Sequence, residues 1–222
     1  MTKTGRVFFF LLVFVWFVYP FLLSAQTAEE PQVLKLPNPQ TEGGKPLMQA
    51  LLERKSSREF STEKLPPQVL SNLLWAADGV NRPDSEKRTA PSAVNWQNID
   101  IYVAMADGLY LYDALGNALK LILKEDIRAA TGKQEFVKDV PVDLVYVADF
   151  SKINRGTDED KTFYSAAHTG FISQNVYLYC ASEGLATVVR GMVDKEALAK
   201  TIKLRPDQKI MLAQSVGYPK KK

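Results

Sequence analysis

The sequence Arg88-Thr89-Ala90-Pro91-Ser92-Ala93-Val94-Asn95-Trp96-Gln97 is the stretch on which the prediction of the fold depends. Its proline fixes a turn, and its small residues and carboxamide let a flat ring lie close to the backbone. Upstream lies Arg54-Lys55-Ser56-Ser57-Arg58, which combines planar cationic forks with a hydroxyl and suits a phosphate dianion. A third run, Val216-Gly217-Tyr218-Pro219-Lys220, lies near the C-terminus. Together the first two runs suit a ligand that has both a flat ring and a phosphate.

In this order, the three runs resemble the flavin-dependent nitroreductase family. Two more stretches, Gln174–Leu178 and Gly184–Gly191, are similar to the core of that family, and the resemblance extends from about Leu47 to Lys220. The resemblance implies a nitroreductase-like α+β fold, in which helices flank a mostly antiparallel central sheet. It also implies FMN as the cofactor and a homodimer with a long, buried interface helix.

The resemblance also assigns the cofactor site residue by residue. Arg54, Ser56 and Arg58 would hold the phosphate and ribityl side, and the loop that contains Pro91 would cover the flavin ring of the partner subunit. A backbone N–H at Arg190-Gly191 would approach flavin N5, where a donor favours the reduced flavin. No catalytic side chain is predicted beside the flavin. The predicted cofactor-binding residues are Arg54, Ser56, Arg58, Arg88, Pro91, Ser92, Ala93, Asn95, Arg190, Gly191 and Lys220.

Each of these residues also has a purely structural interpretation. Arginines at a helix end complement the helix dipole, and Asn95 could do no more than satisfy backbone groups of its own turn. Gly191 could simply end a strand. The basic residues from Lys220 onward could be a solvated tail, because relatives often continue past this point with a longer basic segment.

The predicted activity is that of an FMN-dependent oxidoreductase, which transfers a hydride or two electrons to or from a small molecule. Arg88 and the hairpin sequence Tyr110–Asp113 make the chain most similar to the thiazoline- and oxazoline-oxidase branch of the family. The alternatives are therefore a flavin-dependent oxidase of this azoline type and a non-catalytic flavin-binding module. We expect a small-molecule electron donor and acceptor as partners, and neither nucleic acid nor a metal.

The periodicity of apolar residues predicts the elements of the α+β layout. Residues 80–95 are predicted to be a long polar loop, and Ile99–Met105 a strand that is buried on one side. The predicted helices begin at Pro46, Pro66, Leu119 and Lys161, with a short one after Asp194, and the other predicted strands are Leu109–Asp113, Val142–Ala148 and Lys209–Val216.

The N-terminal sequence has the layout of a secretory signal peptide. Lys3 and Arg6 precede an apolar run from Val7 to Leu23, and Ala25 offers a small residue for cleavage. We expect residues 1–25 to be a signal peptide, 26–44 a flexible arm and 45–222 the FMN-binding domain. The predicted location is the bacterial periplasm. The alternative is an uncleaved anchor in the inner membrane, because the apolar run is nearly long enough to span a bilayer.

Composition excludes several kinds of site. The net charge is +3, and it falls to +1 without Lys3 and Arg6, which gives no indication of a nucleic-acid partner. With Cys180 as the single cysteine, neither an internal disulfide nor a zinc cluster can form, and its apolar neighbours predict a buried thiol. His168 is the single histidine, and a lone helical histidine is more often a hydrogen-bonded structural group than a catalyst.

Overall fold

The computed structural model describes residues 32–221, which form one α+β unit around a seven-stranded sheet. The predicted signal peptide lies outside the described residues. Every strand pairing in the described range is antiparallel, and the order across the large sheet is β1-β6-β5-β4-β7-β9-β8. The strands are β1 Val33–Lys35, β2 Val80–Arg82, β3 Lys87–Arg88, β4 Ile99–Met105, β5 Gly108–Asp113, β6 Ala118–Leu123, β7 Val142–Asp149, β8 Ala186–Arg190 and β9 Gln208–Gly217.

The described range contains four helices, of which two begin at prolines without a side-chain cap and two begin with a side-chain cap. They are α1 Leu47–Glu53, α2 Pro67–Asp78, α3 Asp158–Glu183 and α4 Lys195–Thr201. Helix α3 begins with a capping box between Thr157 and Asp160 and ends at Gly184, whose φ of 71° is the left-handed conformation that glycine tolerates. Within residues 32–221, no helix is both long and apolar enough to cross a membrane.

The core has two layers, one on each face of the sheet. Helices α2 and α3 pack on one face, where Leu73, Leu144 and Val176 are fully buried. On the other face, Leu198 of α4 joins Val145 and Val147. Strand β7 is buried along its whole length because alternate side chains enter the two layers. The predicted fold class, an α+β arrangement with a mostly antiparallel sheet, is confirmed.

The prediction of a helix from Leu119 onward is wrong, because residues up to Leu123 form strand β6. Leu119, Ile122 and Leu123 have helical spacing, but Leu119, Leu121 and Leu123 also alternate with exposed side chains. Strand pairing decides between helix and strand here, because β6 is hydrogen-bonded to β5 on one side and to β1 on the other. Only a short 3-10 turn, Arg128–Thr131, precedes the predicted helix end.

Three other predictions need correction. The loop at residues 80–95 contains the small hairpin of β2 and β3, and strand β4 is buried on both faces rather than one because helices cover both sides of the sheet. The segment predicted to be a flexible arm contributes β1, which pairs with β6 and forms one edge of the sheet. The other predicted helices and strands are present, with ends within a few residues of the predictions.

Candidate functional site

The run Arg54–Arg58 follows the end of α1 and is bonded to strand β8 and helix α3. The backbone N–H of Ser57 donates to the carbonyl of Thr187 at 2.9 Å. The hydroxyl groups of Ser56 and Tyr177 share a hydrogen bond of 2.8 Å, and the Arg54 guanidinium lies 5.4 Å from the centre of the Tyr177 ring. Tyr177 therefore anchors two of the three predicted phosphate-binding residues to α3.

The C-terminal segment runs beside the same region. The N–H of Ser61 donates to the carbonyl of Tyr218 at 2.9 Å, and the N–H of Lys220 donates to that of Glu59 at 3.3 Å. A bridge between Phe60 and Pro219 lies between these two bonds. Two runs that are about 160 positions apart in the sequence are thus adjacent in space, which brings Lys220 close to Arg54–Arg58.

A cavity of about 640 Å³ opens beside these segments. This volume is within the range of small-molecule and cofactor pockets. Lys55, Lys220 and Tyr177 line the cavity, whereas the predicted residues Arg54, Ser56 and Arg58 are not part of its lining. Lys55, Arg58 and Lys220 form no ion pair with any described residue, so their positive charge is available to an anion. Glu53, which pairs with Lys45, and Glu59 also line the cavity, so its lining keeps a small excess of positive charge that favours a phosphorylated ligand.

Sequence reasoning missed three residues of this cavity. Tyr177 lay within a stretch that resembled the family, but the partners of its hydroxyl are set by the tertiary structure. Lys55 lay between predicted residues of the same run. Lys45 contacts Glu53 and the carbonyl of Ala181, and no local motif marks it. Cys180 also lines the cavity wall, and burial raises the pKa of its thiol.

The loop Ser92–Gln97 lies on the N-terminal half of α3. The N–H of Ala93 donates to Nε2 of His168 at 2.7 Å, and the N–H of Gln97 donates to Oγ of Ser92 at 2.8 Å. Pro91 and Asn95 are exposed. The side-chain oxygen Oδ1 of Asn95 accepts a hydrogen bond from the side-chain amide of Gln97. The loop therefore presents its proline and carboxamide outward from the protomer.

The loop and the cavity lie at different levels along α3. His168 contacts the loop and Tyr177 lines the cavity, and nine residues of helix separate them by about 13 Å. Within one protomer, the structure thus groups Arg54, Ser56 and Lys220, and it groups Ser92 and Ala93 separately. The prediction that the loop serves a neighbouring subunit is consistent with this separation.

Arg88 lies outside both groups, and its side chain is bonded to other residues of the same protomer. Its guanidinium donates to the backbone carbonyl of Asp78 at 3.0 Å and to the side chain of Gln97 at 3.1 Å. Its distance to the Asp78 carboxylate is 3.7 Å. Burial raises the pKa of Asp78 to about 7, and the charge of Arg88 opposes that shift. The contacts of Arg88 position the loop from behind.

The side chain of Arg190 points into the interior. Its guanidinium donates to Asp143, Ser215 and Thr131, so only its backbone remains for the predicted contact with a ligand. Gly191 follows at the end of β8, four residues and about 13 Å beyond Thr187 of the cavity wall. A Cβ at Gly191 would meet nothing closer than Leu212 at 3.8 Å, so packing within this chain does not require glycine there.

Comparisons with known proteins agree on one family. Residues 51–218 match the model of the nitroreductase family. A nitroreductase-like protein of Methanocaldococcus jannaschii is 30% identical over an alignment of 169 residues, which covers 72% of this chain and 85% of that protein. A nitroreductase-like protein of Ralstonia eutropha superposes with a TM-score of 0.82 at 43% identity, covering 86% of this chain and 90% of the other.

A second solved structure shows a related fold with a bound cofactor. A nitroreductase-like protein of Desulfovibrio desulfuricans, solved in complex with FMN, superposes with a TM-score of 0.59 at 20% identity. The superposition covers 81% of this chain and 89% of that protein. At this identity the likeness concerns the fold alone.

Proposed function

Because the chain belongs to the nitroreductase family of oxidoreductases, we propose that it is an FMN-dependent enzyme acting on a small molecule outside the cytoplasm. The observation that carries the proposal is one cavity of about 640 Å³ that is lined by Lys55 and Lys220, with Arg54 and Ser56 held against Tyr177 of its wall. Two ammonium groups on the lining, with a cationic fork and a hydroxyl next to it, suit a phosphate.

In this proposal, Arg54, Ser56 and Lys220 hold the phosphate and ribityl side, and Arg58 adds positive charge from outside the cavity. Bound FMN supplies the two-electron chemistry. The backbone N–H groups near Gly191 orient the flavin ring. Because glycine has no Cβ, the ring has room to approach the backbone there. Tyr177 keeps the phosphate-binding run in place through its bonds to Ser56 and to the N–H of Val189.

We propose that the enzyme is a homodimer in which the loop of one protomer completes the site of the other. Two observations support this: the loop lies about 13 Å along α3 from the cavity of its own protomer, and α3 exposes large apolar side chains beside the loop. Phe163 is 68% exposed and Phe171 46%. Pro91, Ser92, Ala93 and Asn95 would then cover the ring bound by the partner subunit.

The first experiment measures the absorbance spectrum of residues 26–222 with added FMN after removal of free cofactor. We expect about one flavin per chain, and the double variant Arg54→Ala/Arg58→Ala should lose it. Arg155→Ala is the matched control, because Arg155 is an exposed arginine on another segment without a described ion pair. Stoichiometric FMN in the double variant would contradict the assigned site, and a wild type that binds none would contradict the cofactor.

Turnover assays then separate the kinds of activity. A reductase should transfer electrons from an artificial donor to a nitroaromatic or quinone acceptor. An azoline-type oxidase should instead consume oxygen at the expense of its organic substrate, without any added reductant. Arg88 and the residues Tyr110–Asp113, which lie in β5, carry the resemblance to that branch. A flavin-loaded protein that does neither would be a binding module.

The proposed location outside the cytoplasm rests on the sequence of residues 1–25. NAD(P)H is a cytoplasmic reductant, so an exported enzyme needs another electron donor or works as an oxidase on an exported substrate. N-terminal sequencing of protein recovered from the periplasm should begin at Gln26. Recovery from the inner membrane with an intact N-terminus would favour the uncleaved anchor.

A further inference from the structure

The backbone of the loop Ser92–Gln97 is held in an unfavourable conformation. Val94, Asn95 and Gln97 have φ angles of 50°, 57° and 46°. Asparagine tolerates this left-handed region, but for a β-branched valine it is strongly disfavoured. Such residues cost about 1–3 kcal/mol each and persist only where surrounding contacts enforce them. The contacts that hold this loop therefore decide whether it keeps its shape.

Most hydrogen bonds of the loop are internal to it. The N–H of Asn95 donates to the carbonyl of Ser92, and that of Trp96 donates to the carbonyl of Ala93. Outside the loop, the side chain of Gln97 bonds to Arg88 and to the carbonyl of Glu86, and the N–H of Ala93 forms the one described hydrogen bond from the loop to α3, to His168. His168 therefore fixes the strained loop to α3.

The neighbours of His168 select one form of its ring. The side-chain amide of Asn98 donates to Oγ of Ser165 at 2.8 Å, which turns its oxygen toward Nδ1 of His168, also at 2.8 Å. Nδ1 must then carry the proton, and Nε2 is left bare to accept from Ala93. A second proton on Nε2 would face the N–H of Ala93 and remove that bond.

The surroundings of His168 favour its neutral form. The ring is 3% exposed, and Trp96, Phe171 and Tyr164 lie around it. Tyr164 on α3 is the titratable group that faces the ring, and the loop and Asn98 bring no charge to it. Burial lowers the pKa of His168, with no contribution from a described carboxylate or cation.

We infer that His168 is a positioning residue: its neutral ring holds the loop in the strained shape that covers the flavin of the partner subunit. This inference rests on the proposed function. His168 touches neither cofactor nor substrate in this arrangement and acts through the backbone of Ala93. Because the neutral form is the one that holds the loop, the stabilisation by this contact is complete above the unfolded-state pKa of about 6.5, declines below it, and is lost as the pH falls through the lowered pKa of the folded ring.

The first test measures hydrogen exchange of the peptide that contains residues 86–98, in protein without cofactor, from pH 5 to 8. After correction for intrinsic rates, we expect protection to fall in the wild type below about pH 6.5. His168→Leu should be unprotected throughout, while His168→Gln, which offers an oxygen acceptor but does not titrate, should keep a flat profile. Equal protection in His168→Leu and the wild type would overturn the inference.

The second test measures the dissociation constant of FMN over the same pH range. The FMN phosphate titrates near pH 6, but it does so equally for all variants, so the difference between wild type and His168→Gln isolates the histidine. We expect His168→Leu to bind FMN about tenfold more weakly at pH 8, the ratio for one lost hydrogen bond. Tyr164→Phe is the control and should keep the wild-type pH profile.

The two tests fail in different ways. If His168→Leu frees the loop but binds FMN as tightly as the wild type at every pH, the positioning role toward the flavin is wrong. If the wild type binds no FMN, the proposed function is wrong, and hydrogen exchange still decides whether His168 holds the loop.

Discussion

The ion pair between Arg190 and Asp143 is almost fully buried beneath the sheet. The guanidinium donates to Asp143 at 2.8 Å and to the carbonyl of Thr131 at 2.8 Å, and it packs against Gly132, where a Cβ would collide with it. Burial raises the pKa of Asp143 to about 6, so its carboxylate is ionised at neutral pH. At the scale of single residues, this pair fixes the end of β8 from which Gly191 emerges.

Replacing Arg190 by alanine should therefore destabilise the fold. Arg190→Ala leaves a buried carboxylate without its partner, and we expect a loss of about 3–5 kcal/mol in the free energy of unfolding at pH 8. The loss should shrink as the pH falls through the pKa of Asp143, because the protonated acid is neutral. Urea unfolding at pH 5 and pH 8 measures both effects.

The matched comparison is the double variant Arg190→Met/Asp143→Leu, which removes both charges and should recover most of the lost stability. A loss below about 1 kcal/mol in Arg190→Ala would show that the pair is not needed for folding. Because the side chain of Arg190 does not reach the cavity, we expect the variant Arg190→Ala to lose FMN only to the extent that it unfolds.

Helix α3 is the element that connects the two halves of the site. Its 26 residues extend over about 39 Å, with His168 beneath the loop and Tyr177 at the cavity. The capping box at Thr157, where the side chain accepts from the N–H of Asp160 at 3.1 Å, fixes its first turn. The start of this helix therefore sets the register of both contacts.

Thr157→Ala should lower the free energy of unfolding by about 1 kcal/mol, because it leaves the N–H of Asp160 without its cap. Thr157→Ser keeps the hydroxyl and should remain close to the wild type. Thermal unfolding followed by circular dichroism measures the difference. If the alanine and serine variants had equal melting temperatures, the cap would not contribute to stability.

The elements that the sequence predicts well are those with local signals. The helix predicted to begin at Pro66 is present with Pro66 as its N-cap, and glycines, Gly79 and Gly184, end α2 and α3. Strand β6 was missed because the spacing of Leu119 and Ile122 also fits a helix, and its pairing partners β1 and β5 decide the outcome. Local patterns cannot show which distant segment supplies those hydrogen bonds.

The same division holds for the site. The sequence predicted the run Arg54–Arg58 and Lys220 separately, and the pairing of Phe60 with Pro219 brings them together. It did not predict Tyr177, because the role of that hydroxyl depends on where Ser56 lies in the folded chain. Arg190 was predicted as a site residue because it lies in a loop that resembles the family. Its side chain is instead bonded to the buried Asp143, which lies 47 residues away in the sequence.

At the scale of the whole molecule, helix α1 exposes apolar side chains on the surface of the protomer. On α1, Met48 is 76% exposed and Leu52 85%. Apolar residues clustered on one exposed helix mark an interaction surface in a soluble protein. This surface and the aromatic side chains of α3 are where we expect the two protomers of the proposed dimer to meet.

The variant Met48→Asp/Leu52→Asp should therefore be monomeric in light scattering coupled to size exclusion, while the wild type is a dimer. Both side chains are exposed, so the secondary structure of the protomer should be retained. Leu115→Asp is the control, since Leu115 is 60% exposed in the turn between β5 and β6. A double variant that stays dimeric would place the interface elsewhere.

The position of β9 has a consequence for how the protein is made. It lies between β7 and β8 in the sheet, yet it is the last strand of the described chain. Synthesis runs from the N-terminus, so β7 keeps an open edge and β8 has no neighbour until β9 has left the ribosome. The nascent polypeptide therefore cannot complete its sheet before β9 has been made. An incomplete sheet resists threading through a narrow translocation channel less than a finished one, which suits the proposed export.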